Sequence, residues 1–342
     1  MRALTCRAFG DLADLEVAEL PDPEPGPDQV VIDVHACGVN FPDMLIVKGE
    51  YQFKPPLPFS PGAEVAGTIA AVGSEVTGFA PGDRVAAVAL WGGMAERMAV
   101  DAAAVTRLPD SADLIAVAAL LMAHGTAHHA LFDRAGLAAG ETLLVLGAGG
   151  GVGLAAVQCG VASGARVIAA ASSDEKLRRC FDEGAQDVVD LRSQNLRDTV
   201  KGLTNGRGVD VCVDTVGGEF AEPAVRSMAW RGRYLVVGFA AGEIPRIPLN
   251  LPLLKGCSIT GVFWGAFREK EPAASAAQAA ELLAKLDAGT LRPLISDVLP
   301  LDRATEALRA IEARRAVGKL VIAVKTPPSE DTAKAADRPL AP

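Results

Sequence analysis

The feature that most constrains this chain is a strand, a glycine-rich turn and a helix read in unbroken succession from Thr142 to Gly164. TLLVLG at 142–147 is an apolar run of strand length, GAGGGVG at 147–153 is a tight turn, and LAAVQCGVASG follows as a helix that stops near Gly164. The alternation then repeats. RVIAAAS reads as a strand, DEKLRRCFDEG as an amphipathic helix, DVVDL as a strand and LRDTVKGLTNG as a helix. VDVCVDTVG is a further strand, a helix is expected near 220–230, and RYLVVGF is the next strand. Repeated βα units of this kind build a doubly wound parallel sheet.

A glycine turn between the first strand and helix of such a sheet is the place where a dinucleotide diphosphate binds, because main-chain N–H groups approach it closely where no Cβ intervenes. Gly150 and Gly153 take the second and third glycine positions and Ala148 the first, so the strict GxGxxG spacing is altered. The expected phosphate contacts are Gly150, Gly151, Val152 and Gly153. The second strand ends on Ser172 and Ser173 rather than on the Asp or Glu that grips an NAD ribose, and Lys176 follows one turn later. That pattern favours NADPH, with Asp174 as the residue that argues against it by repelling a phosphate. The plainer reading is a Ser173 helix cap with Lys176 as a solvated surface group.

The first third of the chain is written differently. VVIDVHACGV at 30–39 and EVAGTIAAVG at 64–73 are strand candidates among the turn segments PDPEPGP, PPLPFSPG and GFAPGDRV, which suits a barrel-like β domain. Helical spacing over 113–136 leads out of it. Beyond the βα repeats, SITGVFWGAF reads as a strand and exit loop, 273–288 as an Ala-rich helix, 301–314 as another helix, and GKLVIAV as a returning strand. After Val324 the pattern stops, and a flexible tail is expected.

With 342 residues, half of them apolar, the chain is long enough for two domains. A formal charge of −9 disfavours a nucleic-acid surface. The six cysteines are dispersed without a CxxC pair, which fits reduced thiols. MRALTCRAFGDL lacks the apolar core of a secretory signal, and no apolar run is long enough to insert in a membrane, so a cytoplasmic protein is expected.

Several motifs in order carry a resemblance: VHACGVNFPD at 34–43, LPFSPGAEVAGTIAAVG at 57–73, GDRV at 82–85, LGAGGGVGLAAVQ at 146–158, GVDVCVDTVGG at 208–218 and VGFAAGEIPRIPLNLPLLKG at 237–256. Over residues 1–324 the chain resembles the zinc-independent, zeta-crystallin-like quinone oxidoreductases of the medium-chain dehydrogenase/reductase superfamily. The resemblance implies an α/β architecture in which a GroES-like β-barrel-type catalytic domain, 1–123 and 266–324, is split by an inserted Rossmann domain, 124–265, with 325–342 as the tail. It also implies a homodimer, with cofactor and substrate meeting in a cleft. Zinc-using relatives carry a ligand cysteine where this chain has Asn40 and a ligand histidine where it has Ala63, and Cys37 with Glu64 does not rebuild that set. Metal-free transfer of hydride to a quinone or an electron-poor alkene is therefore expected.

In the family pattern Asn40 and Tyr51 lie in the substrate cleft, Asn40 to position a carbonyl and Tyr51 to donate its phenolic O–H. An Asn40 backbone cap and a packed Tyr51 ring are the plain alternatives. Thr126 is expected near the nicotinamide, Arg192 near the adenosine phosphate, Gly238 and Phe239 in the nicotinamide loop, and Phe263 with Trp264 closing another side. Lys319 is expected either to approach the cofactor or to sit in a surface ion pair. His124, His128 and His129 are expected to serve helix packing. Three functions are carried forward: NADPH-dependent quinone reduction, NADPH-dependent reduction of α,β-unsaturated carbonyls or enoyl thioesters, and NADPH binding without turnover.

Overall fold

A computed structural model describes residues 1–325, which divide into two compact units, 1–122 with the segment from Ile295 on, and 123–294. The expected tail, Lys325 apart, lies outside the described residues. In the first unit come β1 (Arg2–Thr5), β2 (Glu16–Glu19), β3 (Gln29–Val39), β4 (Glu64–Val72), β5 (Arg84–Val88), β6 (Arg97–Asp101) and β7 (Val105–Arg107). The second unit holds β8 (Thr142–Leu146), β9 (Arg166–Ala171), β10 (Asp187–Asp190), β11 (Val209–Asp214), β12 (Met228–Val236) and β13 (Ser258–Gly261). The strands β14 (Ile295–Pro300) and β15 (Lys319–Ala323) return to the first unit.

The second unit is one parallel sheet with strand order β10-β9-β8-β11-β12-β13. Counted from its own first strand this order is 3-2-1-4-5-6, the doubly wound arrangement that binds ligands at the carboxyl ends of its central strands. Its strands are buried on both faces. Leu143, Val145, Val167 and Val213 pack into one apolar layer, and Leu144, Leu146, Ile168 and Cys212 into the other, as the two-residue period of a strand requires.

The first unit is built on a seven-stranded sheet in the order β14-β15-β3-β4-β5-β7, with β6 also on β3. The long β3 serves two partners in turn. Residues 29–33 pair with β6, and residues 36–39 pair with β15, so that Leu320 stands opposite Val39. On its other side β3 pairs with β4, Gly38 opposite Glu64. These two registers bring Lys319, Asn40 and Glu64 to one end of the sheet. Gly38 makes the approach possible, because a Cβ there would lie 1.9 Å from the Ala118 carbonyl oxygen and 2.9 Å from Glu64 Oε2.

Two expectations are corrected. The helix expected near 220–230 ends at Arg226, and residues 228–230 begin β12. Pairing with β11 claims this segment: Met228 stands beside Val209 and is 1% exposed. The return to the first unit falls at Ile295 rather than 266, since the helix Pro272–Asp287 packs within the second unit. There Trp264 Nε1 donates to Gln278 Oε1 at 2.8 Å, and Gln278 Nε2 lies 3.2 Å from His128 Nδ1. Among the described residues no helix is long and apolar enough to cross a membrane.

Replacing Gly38 by Ala should destabilise the fold by about 1–3 kcal/mol, because the clash is with backbone that cannot rotate away. Urea unfolding measures this, and an unchanged midpoint would remove the close-approach account.

Candidate active site

At the end of β3 in the first unit, four side chains form a buried polar group. Lys319 is 4% exposed, Asn40 7%, Glu64 1% and Asp43 1%. The Lys319 ammonium donates to Val39 O at 3.2 Å, Asn40 Oδ1 at 2.5 Å and Glu64 Oε2 at 3.1 Å, which uses its three hydrogens. Asn40 Nδ2 donates to Gly38 O and Glu64 Oε2, each at 3.2 Å. Glu64 Oε1 accepts the Met122 N–H at 2.8 Å.

Asn40 precedes the helix Phe41–Val47, whose third residue, Asp43, accepts the Asn40 backbone N–H on Oδ2 at 2.8 Å. Burial pushes the Asp43 carboxyl up to about 7, with the amides of Asn40 and Ala63 and the charge of Lys319 opposing and Glu64 adding to the rise. Burial likewise pushes up the Cys37 thiol, and burial together with the charge of Asp43 raises the Tyr51 phenol. Tyr51 is half-buried against the core of this unit.

In the second unit the turn after β8 leads into the helix Gly151–Ala162. Gly147 and Ala148 both donate to Ala170 O at 3.1 Å, which fixes the turn against β9. Gly150 stands at the cap position of this helix and has no side chain to accept the first-turn N–H groups of Gly151, Val152 and Gly153. A Cβ on Gly150 would meet nothing closer than Gly147 O at 3.5 Å, so that direction is open. A Cβ on Gly153 would lie 2.1 Å from the same oxygen. Gly153 thus serves the packing of helix on strand, while the absence of a side chain at Gly150 serves whatever approaches the helix end. These N–H groups and the positive end of the helix fit a dinucleotide diphosphate.

The far end of that site lies beyond β9. Ser172 is exposed, and Ser173 caps the helix Asp174–Asp182 by accepting the Lys176 N–H at 3.3 Å. The Lys176 stem lies over the turn, since a Cβ on Gly149 would come 2.5 Å from its Cβ and Cγ. Arg192 donates to Asp174 Oδ1 at 2.5 Å and to Asp190 Oδ2 at 2.8 Å, and these bonds raise its pKa while depressing that of Asp190.

Residues 26–110 match the family described as alcohol dehydrogenase GroES-like domain, and residues 151–281 match that described as zinc-binding dehydrogenase. Quinone oxidoreductase-like protein 2 of Rattus norvegicus is 38% identical over 328 residues, 95% of this chain and 92% of the relative. Quinone oxidoreductase of Sus scrofa is 37% identical over 326 residues, 94% and 97% of the two chains. The chain belongs to the quinone oxidoreductase-like branch of the medium-chain dehydrogenase/reductase superfamily. A mycobacterial structure complexed with NADPH, 31% identical, superposes with a TM-score of 0.88 over 95% of this chain and 100% of its own. The two units are accordingly the GroES-like domain and the Rossmann domain of this superfamily, and the protein is an NAD(P)-dependent oxidoreductase.

Against that background the remaining residues fall into place by unit. Thr126, Gly238, Phe239 and Phe263 belong to the Rossmann domain, Phe239 half-buried and Phe263 52% exposed. Gly238 donates to Asp214 O at 3.3 Å. Trp264 packs on Gly125, where a Cβ would lie 2.5 Å from its ring. His124 bonds Gln158 at 2.8 Å, and His129 bonds Asp133 at 2.9 Å and stacks on Phe267. Two first-unit readings need correction. Lys319 is in no surface ion pair, because the register of β15 on β3 buries it. The Asn40 amide spends both its hydrogens within the cluster, so it has none to offer a substrate carbonyl.

Sequence reasoning missed Asp43 as an ionisable group and Asp214 as a loop anchor. Asp214 Oδ1 accepts Val216 and Gly217 N–H at 2.7 and 2.8 Å, and Tyr234 donates to its other oxygen. The available signal was a carboxylate closing an otherwise apolar strand, VDVCVD, just before a glycine pair. Among the described residues no group of three or more His, Cys, Asp or Glu is placed to hold a metal ion.

The two glycines separate binding from folding. Gly150→Val should leave the unfolding midpoint within about 0.5 kcal/mol yet weaken dinucleotide binding at least about tenfold, whereas Gly153→Ala should cost about 1–3 kcal/mol of stability. Calorimetric binding beside denaturant unfolding reads both, and intact affinity in folded Gly150→Val would count against the cradle.

Proposed function

We propose that the protein is a cytoplasmic, metal-free homodimer that reduces quinones with NADPH. The observation that carries the reading is the uncapped helix end at Gly151, Val152 and Gly153, with the open side of Gly150 facing outward. A dinucleotide whose diphosphate bound there would supply a hydride from its dihydronicotinamide. The phosphate preference for NADPH is supported by Ser172 and Ser173 where an acidic ribose ligand would stand, and by Lys176 lying against the turn. Arg192 adds positive charge at the same end, shared in this structure with Asp174 and Asp190.

Metal-free chemistry is supported by electrostatics in the GroES-like domain. The positions of two zinc ligands in zinc-using relatives hold Asn40 and Ala63, and the Lys319 ammonium sits 2.5 Å from Asn40 Oδ1. A dication at that place would face a buried cation. With the Asn40 amide committed, the O–H donor for the oxyanion of a reduced quinone is Tyr51, and Asn40 acts by fixing Lys319 and Glu64.

Dimerisation is supported by exposed apolar side chains on the Rossmann domain: Trp230 on β12 and Leu249, Leu253 and Leu254 in or next to the helix Asn250–Lys255 are between 74% and 80% exposed. The Trp230 ring lies against Gly256, just after that helix, where a Cβ would come 2.2 Å from it. Exposed apolar groups gathered in this way are a pairing surface. Trp230→Asp with Leu254→Asp should halve the mass measured by light scattering, and a wild type that is already monomeric would end the dimer reading.

NADPH consumption with a panel of quinones, enones and enoyl thioesters tests the activity. Quinone turnover without C=C saturation supports the proposal; alkene reduction without quinone turnover replaces it with the enone or thioester reading. Tight NADPH binding with no turnover makes the protein a noncatalytic binder. Lys176→Ala should weaken NADPH about tenfold or more while changing NADH little, and equal losses for both would remove the phosphate-recognition argument.

A further inference from the structure

Within the second unit one carboxylate closes the central strand β11. Asp214 is 2% exposed, and its register sets it beside Leu146 at the end of β8 and Val236 at the end of β12. Both of its oxygens are engaged. Oδ1 accepts the Val216 and Gly217 N–H groups at 2.7 and 2.8 Å, and Oδ2 accepts the O–H of Tyr234, a buried phenol on β12. Burial and the charge of Asp214 raise the pKa of that phenol, so its O–H stays in place as a donor. The segment 215–218 held in this way has contacts on two sides. Thr215 Oγ1 donates to Leu146 O at 3.0 Å and stands against the glycine turn, where a Cβ on Gly147 would meet it. Thr215 O and Val216 O accept the Ala240 and Ala241 N–H groups at 3.1 and 2.8 Å, and the Gly218 N–H donates to Glu243 O at 3.1 Å. Gly217 has φ +67°, and a Cβ there would lie 2.8 Å from Phe239 Cδ1. One carboxylate thus sets the segment 215–218, and that segment carries the loop 237–243 by main-chain bonds.

A doubly wound sheet takes one nucleoside of a dinucleotide on each side of its switch point, which here falls between β8 and β11. On the dinucleotide reading above, the adenosine end lies beyond β9 at Ser172 and Ser173, so the ends of β11 and β12 fall on the nicotinamide side. We propose that Asp214 and Tyr234 are positioning residues for the nicotinamide half of the coenzyme. The inference rests on that dinucleotide reading. Asp214 acts through the main chain of 215–218, and Tyr234 acts by fixing the Asp214 carboxylate. The loop 237–243 is then held in one arrangement before the coenzyme arrives, which removes an ordering cost from binding of the ring. The first-turn N–H groups after Gly150 use neither side chain, so the grip on the diphosphate is independent of the pair.

Calorimetric titration of wild type, Tyr234→Phe and Cys212→Ala with NADPH and with 2′-phospho-ADP-ribose, the same molecule without its nicotinamide ring, separates the two halves. NADH and ADP-ribose titrated alongside give the same comparison whichever coenzyme is preferred. Tyr234→Phe keeps the aromatic ring and removes only the O–H. Cys212→Ala opens a small cavity two residues before Asp214 on β11 and controls for lost stability alone. Tyr234→Phe should bind NADPH about tenfold or more weakly and 2′-phospho-ADP-ribose within about twofold of wild type. Its Val216 and Gly217 amides should exchange hydrogen faster. Cys212→Ala should bind both ligands as wild type does. Wild-type NADPH affinity in folded Tyr234→Phe overturns the proposal, as does an equal loss for both ligands or a matching loss in Cys212→Ala. Should Tyr234→Phe not fold, Asp214→Asn takes its place, since a neutral amide oxygen holds the two N–H groups more weakly than a carboxylate; wild-type NADPH affinity there overturns the proposal equally. A wild type that binds none of the four ligands sinks the dinucleotide reading and the proposal together, whereas variants that bind as wild type does sink the proposal and leave that reading standing.

Discussion

The GroES-like domain depends on one buried ammonium. Lys319 opens β15, and its three hydrogen bonds reach the end of β3, the first residue beyond it and the start of β4. Removing one partner of a buried charge pair typically costs about 3–5 kcal/mol, because the other is stranded. The bonds therefore hold in register the strand that returns after the second unit. They also settle the chemistry of their neighbours: the Asn40 amide is spent, Glu64 is matched, and Asp43 is the carboxyl left without a counter-charge.

In the Rossmann domain the corresponding constraint is a helix end that the protein itself does not cap. The helices that follow Asp113, Ser173 and Asn195 are each capped by that residue's side chain. At Gly150 that satisfaction is withheld. The same short turn contains Gly153, which is crowded by backbone, so two glycines three residues apart answer to different demands. Beyond β9, Arg192 is held by two carboxylates, so a phosphate arriving there competes with Asp174 for the guanidinium.

The repeated βα units were legible because a buried parallel strand needs an apolar run and each helix carries its own stop, as Gly164 and Gly184 do. The segment at 228–230 was misread as helix because MAW has no period of its own, and pairing with β11 decides it. The helix Pro272–Asp287 was placed in the wrong unit for a similar reason. Its Ala-rich surface does not name a partner, whereas the bonds of Gln278 to Trp264 and His128 do.

The sequence alone determined the doubly wound sheet, the glycine turn at its first strand, and the absence of cysteine and histidine at Asn40 and Ala63, because strand burial, helix capping and ligand chemistry act over a few neighbouring residues. Only tertiary structure decided that Lys319 is a buried cation, that Asn40 has no hydrogen to spare and that Asp43 lacks a counter-charge. Those outcomes depend on the registers of β15 and β4 against β3, which join residues more than two hundred positions apart in the case of Lys319 and Asn40. Charge balance in a buried group is a property of the whole set of neighbours, and no local stretch of chain contains that set.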